Sequence, residues 1–254
     1  MTRPAVSPRH IALILAGGAF LAAAVPAVYA EEASPAPAPL ASNAARLSIA
    51  PLRLELDAGK SSATLMLTNT SERAVPIQAR LFAWSQDGGE DKFAPSNALT
   101  ISPSIIAIPA GATQIVRLIR TGAASPGEKR FRLAVDQLPD PTLARAGEAE
   151  ARIRFTLPVF FDRDKAVPAS LSWRVAADRI EVANSGGSTA RIVSIEVKTA
   201  GGRIVPVQRN SLRYVQGNSA IAWPLADGCS LGAVTIAAQI DGQSANVQAP
   251  PACS

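Results

Sequence analysis

Residues Ala149 to Phe161 read AEARIRFTLPVFF, and the reading of this stretch decides the fold. Ala151, Ile153, Phe155, Leu157 and Val159 put apolar side chains at the odd positions, whereas Arg152, Arg154 and Thr156 take even ones. A period of two belongs to an extended strand with one wet face and one dry face. The dry face needs a cover. On these residues alone two covers are open: the chain's own core, as in most sandwiches, or a groove in another polypeptide to which the strand is lent.

Outward from this strand, the chain is a series of short apolar or alternating runs stopped by turn residues. On the N-terminal side they cover Leu47 to Leu56, Ala63 to Thr68, Val75 to Trp84, Phe93 to Leu99, Ile101 to Ile108, Gln114 to Arg120 and Phe131 to Leu138. On the C-terminal side they cover Leu171 to Val175, Arg179 to Ala183, Ala190 to Thr199, Arg203 to Val207, Leu212 to Val215, Ala220 to Leu225, Gly232 to Ile240 and Ser244 to Gln248. No stretch carries capped helical periodicity, and breakers arrive about every 8 to 14 residues, which is the pattern of an all-β sandwich. The charged tetrapeptide Asp162-Arg163-Asp164-Lys165, with Pro168 behind it, separates two sets of strands. The expected division is therefore residues 46–163 as one sandwich and 164–254 as a second. Trp84, Trp173 and Trp223 are assigned to core packing.

Ahead of the strands, Arg3, Arg9 and His10 precede an apolar run from Ile11 to Val25, and Val28-Tyr29-Ala30 offers small residues for cleavage. This reads as a signal peptide over residues 1–30. A membrane anchor is the alternative, but the apolar run is about 15 residues where about 20 are needed, and Pro26 interrupts it. Residues 31–45, rich in Pro, Ala and Ser, have nothing to bury and read as a disordered lead-in.

Removing the signal's Arg3 and Arg9 leaves 23 basic against 20 acidic residues. The arginines are scattered, with no basic run interleaved with aromatics, so nucleic acid is not an expected partner. The only histidine, His10, leaves with the signal, which excludes Ser-His-Asp and Cys-His catalysis and His-containing zinc sites from the mature chain. Asp87, Glu90 and Asp91 read as a charged hairpin tip rather than a calcium site. Gly122 to Lys129 lacks the Gly-Lys-Ser/Thr of a phosphate loop. In an exported chain the two cysteines, Cys229 and Cys253, read as a disulfide. Pairing across the Asp241-Gly242 turn places them one residue out of register, just beyond the strand ends, where they clamp the terminal hairpin.

Several segments resemble, position by position, one family. Ser48-Ile49-Ala50-Pro51-Leu52-Arg53-Leu54-Glu55-Leu56 is similar to its opening strand and basic residue. Pro109-Ala110-Gly111 with Ile115-Val116-Arg117-Leu118 is similar to its turn and arginine-bearing strand. Phe131 to Pro139 and Phe155-Thr156-Leu157-Pro158-Val159-Phe160 are similar to its sixth and seventh strands. The family is that of the periplasmic pilus chaperones of the chaperone/usher pathway, and the Leu-Pro-Val-Phe ending resembles its archaic, spore-coat-U-associated branch.

The resemblance implies two immunoglobulin-like β-sandwich domains in a boomerang arrangement, and a periplasmic protein without enzymatic activity or cofactor. Its partners would be pilin subunits and an outer-membrane usher, and self-association through the lent strand would be open to the free chain. The donor strand would complete the subunit's fold by β-augmentation, presenting Ala151, Ile153, Phe155, Leu157 and Val159. Arg53 would bind the subunit's C-terminal carboxylate; without the resemblance it reads as a solvated strand arginine. The second basic anchor falls to Arg154, Arg117 or Arg163. The rival reading is a structural adhesion or cell-surface module of two such sandwiches.

Overall fold

The structure is a computed structural model that describes residues 46–124, 126–140, 151–208 and 210–252. The expected signal peptide, the lead-in and Cys253 lie outside the described residues.

Alternation of buried and exposed residues builds two immunoglobulin-like sandwiches. In the first, one sheet has the order β1 (Leu47–Ala50), β3 (Ser62–Asn69), β8 (Thr113–Arg120), β6 (Leu99–Ser102). The facing sheet has the order β2 (Leu54–Leu56), β10 (Arg154–Phe161), β9 (Lys129–Gln137), β4 (Val75–Asp87), β5 (Glu90–Pro95), with β7 (Ile105–Ile108) also on β4. Leu65, Leu67, Ile77, Leu81, Val116, Leu118, Leu133 and Val135 close the core between these sheets. The run expected as one strand from Leu47 to Leu56 is two: β1 pairs with β3 in one sheet and β2 with β10 in the other. Pro51, which has no N–H for a ladder, sits at the change of sheet.

The second sandwich faces a sheet of β11 (Leu171–Val175), β12 (Arg179–Asn184) and β16 (Ser219–Pro224) against one of β14 (Ile204–Val205), β13 (Ala190–Thr199), β17 (Val234–Ile240) and β18 (Gln243–Ala249), with β15 (Arg213–Val215) on β13. Trp173 and Trp223 stack at 5.9 Å in its core. Trp84 differs from the expectation: it is buried, but at the contact between the sandwiches, edge-on to Tyr214 at 5.3 Å. The terminal hairpin keeps the register set by Asp241-Gly242, from Ile240 opposite Gln243 to Val234 opposite Ala249. Both turn residues have positive φ, 50° and 89°, as a two-residue hairpin of this hand requires.

A buried asparagine organises the turns of each sandwich. Asn69 Nδ2 donates to the carbonyls of Arg73, Ile108 and Pro109, and its Oδ1 accepts from Ser71. Asn184 does the same with Ser188, Val215, Ser170 and Gly186. The linker lies close against the second sandwich: Gly187 and Ser188 donate to the Val167 carbonyl at 3.0 and 2.9 Å, and a Cβ on Gly186 would stand 2.0 Å from the Pro168 carbonyl. Only glycine fits there.

At the end of β10, Asp162 accepts two hydrogen bonds from Arg120, at 2.7 and 3.0 Å, and its side chain is 1% exposed. Arg120 also lies over the Phe161 ring at 5.0 Å and caps the carbonyls of Asp57 and Lys60. This pair ties β8 of one sheet to the end of β10 in the other. Arg120→Ala strips both charge-assisted bonds from a buried carboxylate and should cost about 3–5 kcal/mol of stability. Urea denaturation measures it; a variant within about 1 kcal/mol of wild type would show that the lock contributes little.

Candidate functional site

The ladders of β10 are unequal. On one side β9 pairs with it from Arg154 to Phe161, whereas on the other β2 pairs with it, in parallel, only from Val159 to Phe161. Among the described residues no strand pairs with that second side before Val159. The Ile153 carbonyl accepts from Gln137 of β9, and Asp162 N–H donates to the carbonyl of Leu56 in β2. Main-chain groups alternate sides along a strand, so those of Arg154 and Thr156 point out of the free edge, and the Pro158 carbonyl faces Leu54, where β2 joins. Pro158 has no N–H to offer the edge.

The apolar row divides along this strand. Leu157 and Val159 are 3% and 0% exposed and belong to the chain's own core, contrary to the expectation that the whole row is lent. The reason is the facing sheet: both side chains join the cluster that includes Leu65, Leu67, Val116 and Leu118. Phe155 is half-buried against that core, Ile153 is half-exposed just outside the strand, and Ala151 is exposed. Ala151, Ile153 and Phe155 are therefore the part of the row within reach of another chain.

The free edge ends at a basic cleft. β2 runs parallel to β10 and starts with Leu54 opposite Val159, so Arg53 stands where the free edge stops. Its guanidinium lies 4.6 Å from the centre of the Phe160 ring, and that of Arg163, in the turn after β10, lies 5.6 Å from the same ring. Phe160 is on the even face yet fully buried, with Trp84 at 6.0 Å and Tyr214 at 6.1 Å. Glu55 ion-pairs with Arg53 and reaches Arg163 at 3.9 Å. Glu128, whose side chain is wholly buried, binds Arg163 at 2.5 Å and Arg130 at 3.2 Å, and accepts from Thr189 of the second sandwich.

Other contacts complete the wall between the sandwiches. Gln86 donates to the Tyr214 carbonyl at 2.7 Å, Arg213 donates to that of Gly89 at 3.0 Å, and Arg130 donates to Gln216 at 3.0 Å. Arg132 lies 3.9 Å over Trp84 and 5.2 Å from Tyr214; burial pushes its guanidinium below its ordinary pKa, against the opposing pull of Asp91 and Tyr214. Asp241, in the turn between β17 and β18, approaches Arg53 at 3.7 Å.

The other two candidate anchors stand elsewhere. Arg154 is 62% exposed, six positions before Phe160, and pairs with Asp136, which also binds Arg80 at 2.7 Å. Burial acts against ionisation of Asp136, but hydrogen bonds from Arg80 and Arg154 overcome it and hold its carboxyl below the usual carboxylate range. Arg117 is exposed on β8, in the opposite sheet, between Thr64 and Ser102. The structure brings Arg53 together with Arg163, not with these two. Glu55, Glu128 and Phe160 carry no site role that the sequence alone assigns. The one available signal was Phe160-Phe161, which breaks the alternation and puts aromatic groups on both faces of a strand.

Residues 46–165 match the family model described as "Pili and flagellar-assembly chaperone, PapD N-terminal domain". No curated protein matches the chain by sequence. Among solved structures it is similar to a chain of the CsuC-CsuE chaperone-tip adhesion subunit pre-assembly complex from archaic chaperone-usher Csu pili of Acinetobacter baumannii, with TM-score 0.64 and 19% identity over 81% of this chain and 99% of that one. It is also similar to the E. coli chaperone DraB, with TM-score 0.58 and 17% identity over 82% and 97%. A chain of the Salmonella enterica SafA pilin complex with the SafB chaperone gives TM-score 0.59 and 17% identity over 81% and 96%. By sequence over residues 46–165 and by fold over about four-fifths of its length, the chain is thus similar to the chaperones of pilus assembly.

Proposed function

We propose that the protein is a non-enzymatic chaperone of pilus assembly that holds pilin subunits through the free edge of β10 and hands them to an outer-membrane usher. The observation that carries this reading is a strand edge that no strand among the described residues pairs before Val159 and that runs into a pair of arginines. A partner strand laid on the edge takes the row vacated by β2. If it runs parallel to β10, as β2 does, its last residue meets Arg53, so a C-terminal carboxylate is the group that belongs there. Arg163 is the second anchor. Burying Ile153 and Phe155 in the partner contributes about 3–6 kcal/mol before the costs of association.

Residues 1–30 are its export signal and the periplasm its compartment. The domains divide at 46–163 and 164–254, and the likeness to the Csu complex supports the archaic branch. In the periplasm Cys229 and Cys253 pair. Residues beside both cysteines bind one segment: Gly228 N–H donates to Ala177 at 2.8 Å and Ala252 N–H to Val175 at 2.7 Å.

The decisive experiment separates a lent residue from a core residue on the same strand. Ile153→Glu should shift stability by no more than about 0.5 kcal/mol and abolish capture of pilin subunits co-expressed in the periplasm. Leu157→Glu, which buries a charge in the chain's own core, should fail to fold. Equal capture by wild type and Ile153→Glu would sink the donor-strand reading.

Arg53→Ala should remain folded and weaken capture by about 1.5–3 kcal/mol, roughly 10- to 150-fold. Capture unchanged by this substitution would move the anchor elsewhere. Thiol titration of the unreduced protein should find no free thiol, and reduction should cost the second sandwich about 3–4 kcal/mol. Two titratable thiols would refute the pairing.

A further inference from the structure

One carboxylate oxygen already serves both anchor arginines. Oε1 of Glu55 contacts Nη2 of Arg53 and stands 3.9 Å from Nε of Arg163. Glu55 is the ladder partner of Phe160, so its side chain leaves the sheet on the face where both guanidinium groups cover that ring. We propose that Glu55 is an internal competitor: it fills the position of the ligand's terminal carboxylate in the free protein and gives way to it on binding. This rests on the reading of Arg53 as the anchor.

Two arginines over a single aromatic ring repel each other, and an acid between them keeps both in place. Glu55 can also leave. Its side chain is 44% exposed, so moving it to water costs little desolvation, unlike Glu128, whose side chain is wholly buried and which stays with Arg163 and Thr189. Binding then exchanges one carboxylate for another, and affinity is the difference between the two. Release follows the same path backwards, with Glu55 returning as the ligand departs. Asp241 adds a weaker claim: its Oδ1 stands 3.7 Å from Arg53, does not reach Arg163, and also accepts from Arg191 N–H at 3.3 Å.

The test titrates the full chain with N-acetyl-phenylalanine, a monocarboxylate, and with N-acetyl-phenylalaninamide, which lacks the charge. Nitrogen NMR of the arginine side chains and calorimetry read the binding. Glu55→Gln keeps the size and removes the charge, and should bind the carboxylate about tenfold more tightly than wild type, with the amide unaffected. Asp241→Asn should give a smaller gain, and Glu196→Gln, whose acid pairs with Lys198 on β13, none. Equal or weaker carboxylate binding by Glu55→Gln overturns the proposal, as does binding too weak to detect in both proteins. If Arg53→Ala abolishes binding while Glu55→Gln leaves it unchanged, the anchor stands and the competitor falls. If Arg53→Ala changes nothing, the anchor reading itself fails.

Discussion

The change of sheet at Pro51 is the constraint on which the rest depends. Had residues 47–56 continued as one strand on β10, the edge would be covered for its whole length and the sandwich would be closed. Instead the first half pairs with β3 and only Leu54 to Leu56 reach β10. The crossing opens a gap in the ladder beside Arg154 to Pro158 and sets Arg53 at the end of that gap. The edge that β2 leaves open and the charge at its end are one feature, created by one crossing.

The alternation of the strands, the division into two sandwiches and the terminal hairpin were legible because each is encoded locally, in side-chain period and turn residues. The two-faced character of Arg154 to Phe161 was legible too, but not where its dry face ends up. Whether Leu157 is lent or kept depends on how far the facing sheet covers the odd face, and that is a matter of packing between strands distant in sequence. The same holds for the arginines. Arg53, Arg117, Arg154 and Arg163 look alike in sequence; only the sheet order puts Arg117 on the opposite face of the sandwich and gives Arg154 to Asp136. Trp84 was assigned to a core because large aromatic groups on strands usually are, yet its even position in β4 points it outward, to Arg132 and Tyr214.

The cleft between the sandwiches is held by charge that is nearly balanced and only partly dry. Arg53, Arg130, Arg132 and Arg163 are set against Glu55, Glu128, Asp91 and Asp241, with aromatic rings filling the space between. Taking one such charge from water is expensive, and a partner in close contact repays it. Cation–π contacts to Phe160 and Trp84 add about 0.5–2 kcal/mol each where water is excluded. Such a wall resists separation less through apolar area than through the cost of exposing buried ions without their partners.

An open edge is also a hazard, because any other extended chain, including a second copy, can extend the sheet. Here Pro158 limits the damage. The free side offers N–H groups at Arg154 and Thr156 but none at Pro158, so a chance strand finds a short, interrupted ladder with a cation at one end. Fibril growth needs a long, flat and neutral template. The residue that denies this edge a third donor therefore leaves any strand added there one main-chain bond short.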